Sequence, residues 1–207
     1  MSHLASIFIL LHKIQTSRSC RGISFKSQVL YFIVFVTRYL DVLTTFHNLY
    51  NTLMKLFFIG ATAYTLYLMK VKFRPTQDAA LDTFNIAYIL GPSFLLGLIF
   101  HLRAAGLNPF VEITWSFSIW LESVAILPQL FMLQRTGEAE TITTHYLAAL
   151  GLYRALYIPN WIYRYFTDGG FDPIAVTAGI IQTAIYADFG YIYVTKVLRG
   201  EKFELPA

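Results

Sequence analysis

The chain has 207 residues, of which 56% are hydrophobic, 17% aromatic and only 14% charged. Soluble domains are about 45–50% apolar and about 25% charged, so the composition argues against a soluble protein and favours several helices in a lipid bilayer. At about 20 residues for each span, the length accommodates roughly seven helices and leaves no room for a separate soluble domain. The formal net charge is +4, and the single cysteine, Cys20, excludes an intrachain disulfide.

Apolar segments alternate with short polar ones, which predicts an all-α membrane protein with seven transmembrane helices in one domain, residues 1–207. The first segment is short, since a membrane span ordinarily needs about 17 residues or more. The predicted helices lie at about 2–12, 28–45, 52–68, 84–102, 110–133, 145–166 and 173–198, and residues 199–207 form a tail.

Basic residues between these segments predict the orientation of the chain. They follow the first, third, fifth and seventh helices, whereas the opposite side has only Lys55 and Arg103. Because positive charge marks the cytosolic face, we expect a lumenal N-terminus and a cytosolic C-terminus. The residues assigned to the cytosolic side are Lys13, Arg18, Arg21, Lys26, Lys70, Lys72, Arg74, Arg135, Lys196, Arg199 and Lys202.

A weak internal repeat relates the two halves of the chain. Ser27-Gln28 precedes Arg38 by about the same distance as Thr143-Thr144 precedes Arg154. The pattern predicts two parallel three-helix repeats joined by a linker helix, as in SWEET and PQ-loop proteins, with a site where the halves meet.

Three arginines, Arg38, Arg154 and Arg164, lie within or at the ends of the apolar segments. A charge at the centre of a bilayer costs about 2.5–3.5 kcal/mol on insertion scales, so it requires a partner, a water-filled cavity or a function. Acidic residues occur at matching depth, which indicates a polar site inside the bundle. These acids are Asp41, Glu112, Glu122 and Asp188.

The polar residues recur at helical spacing, so each predicted helix places its set on one face. Such converging faces suit a ligand with several carboxylates and one cationic group, since arginine binds carboxylates bidentately. The alternative is structural: Arg38 pairs with Asp41 within a helix, and Arg154 with Glu122 between helices. The faces comprise Tyr153, Tyr157, Asn160, Trp161 and Arg164; Glu112, Trp115 and Glu122; Arg38 and Asp41; and His3.

His3 is the histidine that we expect inside the membrane. It is either a structural hydrogen-bonding group or, near a buried glutamate, a group that takes up a proton between about pH 5 and 7 and switches the packing. The sequence has no metal-ligand spacing, phosphate-binding loop or nucleophile motif. We therefore expect neither catalysis nor a cofactor, no metal and no nucleic-acid partner, with protons as the regulatory ligand.

Long stretches of the chain resemble the KDEL receptor family, the ER lumen protein-retaining receptors. The resemblance covers essentially the whole chain, and blocks of this length are specific. The stretches that carry it are Ser17–Cys20, Gly22–Ser24, Thr37–Asp41, Leu121–Met132, Thr136–Tyr146 and Val194–Leu198.

The resemblance implies a Golgi and endoplasmic reticulum receptor that binds a C-terminal Lys/His-Asp-Glu-Leu signal in the acidic Golgi and releases it at neutral pH. It implies that Arg38 and Tyr39 hold the terminal carboxylate, and that Arg164 with Trp161 captures a signal acid. By the same resemblance, Asp41, Glu112 and Trp115 face the basic signal residue, Tyr157 and Asn160 line the pocket, and His3, Glu122 and Tyr153 sense protons. Lys196, Arg199 and Lys202 would bind the COPI coat, and Asp172 and Asp188 match acids that the family keeps.

The sequence departs from the family pattern in three places. Ser2-His3 follows Met1 directly, without the upstream arginine that binds a signal acid; Glu201 replaces a lysine; and the loop 103–109 differs. A SWEET-like small-solute transporter is the alternative function, although apolar and aromatic residues fill the cytosolic half. The preference for His, Lys or Asp at the fourth-from-last signal position stays open.

Overall fold

The structure is a computed structural model. It describes residues 2–43, 48–101, 108–136, 138–139, 141–168, 172–195, 197–199 and 203–204.

The described chain is helical, with one two-residue ribbon in which β1 (Glu138–Ala139) pairs antiparallel with β2 (Phe203–Glu204). Short turns of other helix types extend or link the α-helices: Leu40–Leu43, Leu68–Lys72, Arg74–Thr76 and Val197–Arg199. The α-helices are α1 Ser2–Ser17, α2 Phe25–Arg38, α3 Leu49–Tyr67, α4 Ala87–Ile99, α5 Pro109–Val124, α6 Leu127–Thr136, α7 Thr141–Ala155, α8 Tyr157–Asp168 and α9 Pro173–Thr195.

Two of the predicted helices are each broken into two, and prolines explain both breaks. Proline lacks an N–H group, and its ring clashes with the carbonyl group four residues earlier. Pro128 lies four residues after Val124, the last residue of α5, and Pro159 lies four residues after Ala155, the last residue of α7. The predicted helices 110–133 and 145–166 therefore appear as α5 with α6 and α7 with α8.

The first two helices differ from their predicted bounds. α1 continues past the predicted end at residue 12, so Lys13 lies in the helix rather than in a loop. Lys13 is 2% exposed, and its Nζ donates to the carbonyl oxygen of Arg21 at 2.5 Å. α2 begins earlier than predicted, because the Ser24 side chain accepts from the amide of Ser27 and caps the helix. The helix then ends at Arg38.

Among the described residues, two helical stretches are long and apolar enough to cross a membrane, Leu49–Lys72 and Pro109–Thr136. Ala87–Ile99 and Pro173–Ala187 are apolar but shorter. Large apolar side chains are exposed along α3, α4, α8 and α9. Exposed apolar surface on this scale is typical of a protein whose outer face meets lipid.

The core lies where α1 packs against α7 and α2 packs against α5. Most of its fully buried side chains are aliphatic, and they come from both halves of the chain, including Ile14, Leu30, Val34, Leu121 and Leu147. This packing brings the C-terminal end of α2 beside the middle of α5.

A buried hydrogen-bond network closes the bundle at the N-terminal end of α2. The Gln129 side chain accepts from the amide of Ser24 at 2.7 Å and donates to the carbonyl of Gly22 at 2.9 Å. The hydroxyl of Ser24 donates to Asp82 at 2.9 Å. Because buried polar groups are costly unless paired, this network holds the loops around Gly22 and Asp82 against the start of α6.

We expect Gly97→Ala to lower stability. α4 approaches α5 so closely that a Cβ at Gly97 would lie 2.9 Å from the backbone of Phe117, whereas a Cβ at Gly91, in the same helix, would meet nothing within 4 Å. Overpacking costs about 1–3 kcal/mol, so the Gly97 variant should unfold at a lower temperature in detergent. Gly91→Ala is the matched control, and equal unfolding temperatures for the two variants would contradict the close contact.

Candidate functional site

A cavity of about 570 Å³ opens between α1, α2, α3, α5, α7, α8 and α9. Pockets for small ligands have volumes of about 300–1,000 Å³, so it is large enough for a short peptide end. Its lining includes many of the sequence-predicted residues: His3, Arg38, Tyr39, Trp115, Glu122, Tyr153, Arg154, Tyr157 and Trp161.

Glu122 lies at the base of this cavity and is 2% exposed. One of its oxygens, Oε2, contacts both arginines: Nη1 of Arg38 at 2.5 Å and Nη2 of Arg154 at 3.1 Å. The hydroxyl of Tyr153 donates to the other oxygen, Oε1. A buried carboxylate needs such partners, because burying a lone charge is far more costly.

Arg38 is oriented by α5. Its Nε donates to the hydroxyl of Ser118 at 3.1 Å, and its Nη2 donates to the carbonyl of Ser118 at 3.0 Å. Ser118 precedes Glu122 by one helical turn, so a single face of α5 binds the guanidinium through both residues.

Arg154 is held from two sides. Its Nε donates to Oε1 of Gln182, on α9, at 2.5 Å. Its guanidinium carbon lies 5.5 Å from the ring centre of Tyr153 and 5.8 Å from that of Tyr157, within the range of a cation–π contact.

His3 belongs to an aromatic cluster beside the charged residues. Its ring centre lies 4.5 Å from that of Tyr153, 5.3 Å from Phe35, 5.7 Å from Phe58 and 6.3 Å from Tyr31. Tyr153 contacts both His3 and Glu122, so a proton taken up by His3 would add positive charge next to the ion-pair cluster.

The sequence left open how the charged residues pair. Arg154 pairs with Glu122, as one alternative held. Arg38 also pairs with Glu122, while Asp41 pairs with Lys55 at 2.5 Å. The ammonium group of Lys55 lies 5.9 Å from the ring centre of Tyr39.

The sequence interpretation assigned no role to Lys55, Ser118 or Gln182. A signal existed for Lys55, because a lysine inside the apolar α3 follows the same rule that singled out the arginines. Ser118 and Gln182 are common polar residues in apolar helices, and only the fold brings them to the two guanidinium groups.

The predicted common face of the sixth helix holds only in part. Tyr157 and Trp161 line the cavity, whereas Asn160 and Arg164 are exposed on α8. A turn at Leu156 interrupts the helix, so α8 is a separate helix rather than a continuation of α7. Its contact with α9 depends on Gly179, since a Cβ there would collide with the ring of Trp161.

The other predicted residues are not among those that line the cavity, or they fall outside the described residues. Glu112 is buried in α5, Asp172 caps α9 by accepting from the amide of Ile174 at 2.9 Å, and Arg199 is exposed. Lys196 and Lys202, and the side chain of Asp188, lie outside the described residues. Within the described ranges there is no group of three His, Cys, Asp or Glu that could hold a metal ion.

Comparison with known proteins identifies the family. A family model described as ER lumen protein retaining receptor matches residues 19–164. An ER lumen protein-retaining receptor 2 from Gallus gallus is 58% identical over 100% of this chain and 96% of its own length. The chain belongs to the ER lumen protein-retaining receptor family. The receptors of Caenorhabditis briggsae and Drosophila melanogaster are 55% and 53% identical, again over 100% of this chain and 96% of theirs.

Membership in this family decides between the two functions that the sequence allowed. The relatives are retaining receptors and thus support the receptor rather than the SWEET-like transporter. With its apolar helices, the chain is a membrane protein of the secretory pathway.

We expect Glu122→Gln to destabilise the protein more than Tyr153→Phe. The first change leaves both arginines without their buried anion, which costs about 3–5 kcal/mol. The second removes one hydrogen bond to a charged group, at about 1.5–3 kcal/mol. Denaturant unfolding of the purified variants compares the two free energies, and equal losses would contradict the larger contribution expected from the ion pairs.

Proposed function

We propose that this protein is a receptor that binds the C-terminal Lys/His-Asp-Glu-Leu retrieval signal of escaped endoplasmic reticulum proteins. It would capture them in the acidic Golgi, return them by COPI retrograde transport and release them at neutral pH. The observation that carries this proposal is the cavity in which two arginines share one buried glutamate. Family membership agrees with it.

The charge of the cavity suits an acidic ligand. Glu122 neutralises only one of the two guanidinium groups, so the cluster keeps excess positive charge. The signal brings two acidic side chains and a terminal carboxylate. In a site with little water these groups interact more strongly than they would in bulk solvent.

Arg38 and Tyr39 are the proposed ligands of the terminal carboxylate. Ser118 and Glu122 hold the guanidinium in one orientation, and it carries more N–H groups than these bonds use. Preorganisation of this kind reduces the entropy that binding costs.

The remaining signal residues would contact the walls of the cavity and its mouth. Trp161 and Arg164 would capture a signal acid first, and Tyr157 and Asn160 would line its path. Asp41, Glu112 and Trp115 would face the basic residue. Lys55 pairs with Asp41, so a ligand cation would compete with it for that carboxylate.

His3, Glu122 and Tyr153 are the proposed proton-sensing group, with protons as the regulatory ligand and no other cofactor. Histidine has an ordinary pKa of about 6.5. A protonated His3 adds positive charge to a cavity that binds an anion. Binding is therefore favoured while His3 is protonated and is weakened when a rise in pH removes that proton.

We also propose seven membrane spans arranged as two parallel three-helix repeats, with a lumenal N-terminus and a cytosolic C-terminus. The helix bounds and the distribution of basic residues support this topology. Lys196, Arg199 and Lys202 would then lie on the cytosolic side, where the COPI coat binds. The membranes would be those of the Golgi and the endoplasmic reticulum.

We expect Arg38→Ala to abolish binding of a labelled peptide that ends in His-Asp-Glu-Leu, because the carboxylate loses its bidentate partner. Fluorescence polarisation at about pH 5.5, below the ordinary histidine pKa, measures the affinity. Arg135→Ala is the control, since Arg135 is exposed at the other end of the bundle, over the ring of Phe131. Unchanged affinity in the Arg38 variant would refute the proposed site.

We expect His3→Ala to flatten the pH dependence of binding between about pH 5.5 and pH 7.4, which bracket the ordinary histidine pKa. The wild type should bind more tightly at the lower pH. His12→Ala is the matched control, because His12 lies in the same helix but is exposed. A variant at His3 that keeps the wild-type pH profile would place the proton switch elsewhere.

A further inference from the structure

Gln182 is a fully buried residue of α9 that contacts Arg154, a member of the ion-pair cluster with Glu122 and Arg38. It is 0% exposed, and its Oε1 accepts from Nε of Arg154 at 2.5 Å. Arg154 in turn lines the cavity and pairs with Glu122. Gln182 therefore acts on the cavity through Arg154.

The neutrality of this side chain is the informative feature. The two arginines and Glu122 leave one positive charge when His3 is uncharged. Gln182 gives Arg154 an acceptor without reducing that charge. A glutamate of nearly the same size would also accept from Arg154, and more strongly, because the hydrogen bond would join two charges.

Holding Arg154 in place therefore does not require an amide. The Nε2 group of Gln182 has no hydrogen-bond partner among the described residues, so no second contact there explains the amide either. A glutamate at this position would add a negative charge, whereas Gln182 leaves the net charge of the cavity positive.

We infer that Gln182 is a positioning residue that determines the charge specificity of the cavity. It holds Arg154 without neutralising it, so that the cavity binds anionic ligands such as a free peptide carboxylate. This inference rests on the proposed function, since it concerns the same cavity. A carboxylate at this position would form an ion pair with Arg154 and cancel the remaining positive charge.

The test compares Gln182→Glu with Gln182→Met, whose side chain has a similar length but no charge and only a weak thioether acceptor. The probes are a labelled peptide that ends in His-Asp-Glu-Leu with a free C-terminus and the same peptide with an amidated C-terminus. Binding to the purified full-length proteins is measured at about pH 5.5, below the ordinary histidine pKa.

We expect Gln182→Glu to weaken binding of the free-acid peptide by about tenfold or more, as one added unit charge close to the ligand would. It should also reduce the advantage of the free acid over the amide. Gln182→Met should weaken binding less and keep the wild-type ratio between the two peptides. Wild-type affinity in Gln182→Glu, or equal losses in both variants, would overturn the inference.

Two further outcomes keep this test decisive. If Gln182→Glu cannot be purified, a changed ratio between the two peptides in Gln182→Met overturns the inference by itself, and an unchanged ratio supports it. If the wild type binds neither peptide, it is the proposed function that fails. A failure of the charge specificity alone would leave wild-type binding intact.

Discussion

The buried carboxylate of Glu122 is the group on which the site depends. It binds Arg38 from α2 and Arg154 from α7, and it accepts from Tyr153. Each of these charges would be costly inside the bundle alone, and together they are stable only while the three helices keep their relative positions. The ion-pair cluster therefore couples the two halves of the chain at the base of the cavity.

Both arginines stand in the last turn of their helices, α2 and α7. The negative end of the helix dipole stabilises a cation there. Pro159 terminates α7 just after Arg154, and Pro128 terminates α5 just after Glu122. The helix breaks thus lie at the level of Glu122 and the two arginines, which line the cavity together with aromatic side chains. An anion bound there, as proposed, would meet preorganised donors rather than flexible ones.

The sequence was sufficient to predict which charged residues lie inside apolar segments, because that depends on each residue and its neighbours in the chain. It was not sufficient to predict their partners, because those partners lie on other helices. Burial cost singled out Arg38, Arg154 and Glu122 without any structure. It did not reveal that Arg38 pairs with Glu122 rather than with Asp41. It also missed Gln182, because a glutamine in a helix has no sequence signal of its own.

By itself, the sequence determined that the protein is helical and apolar, which residues are charged inside it, and the family to which its long motifs belong. Hydrophobicity and helical period depend only on local residues, so they can be predicted from the chain alone. The tertiary structure decided which charges meet, that Asn160 and Arg164 lie exposed on α8, and that Lys55 and Ser118 join the site. Those pairings depend on how separate helices pack against each other. The neighbours of a residue in the sequence do not indicate which distant residue it will contact.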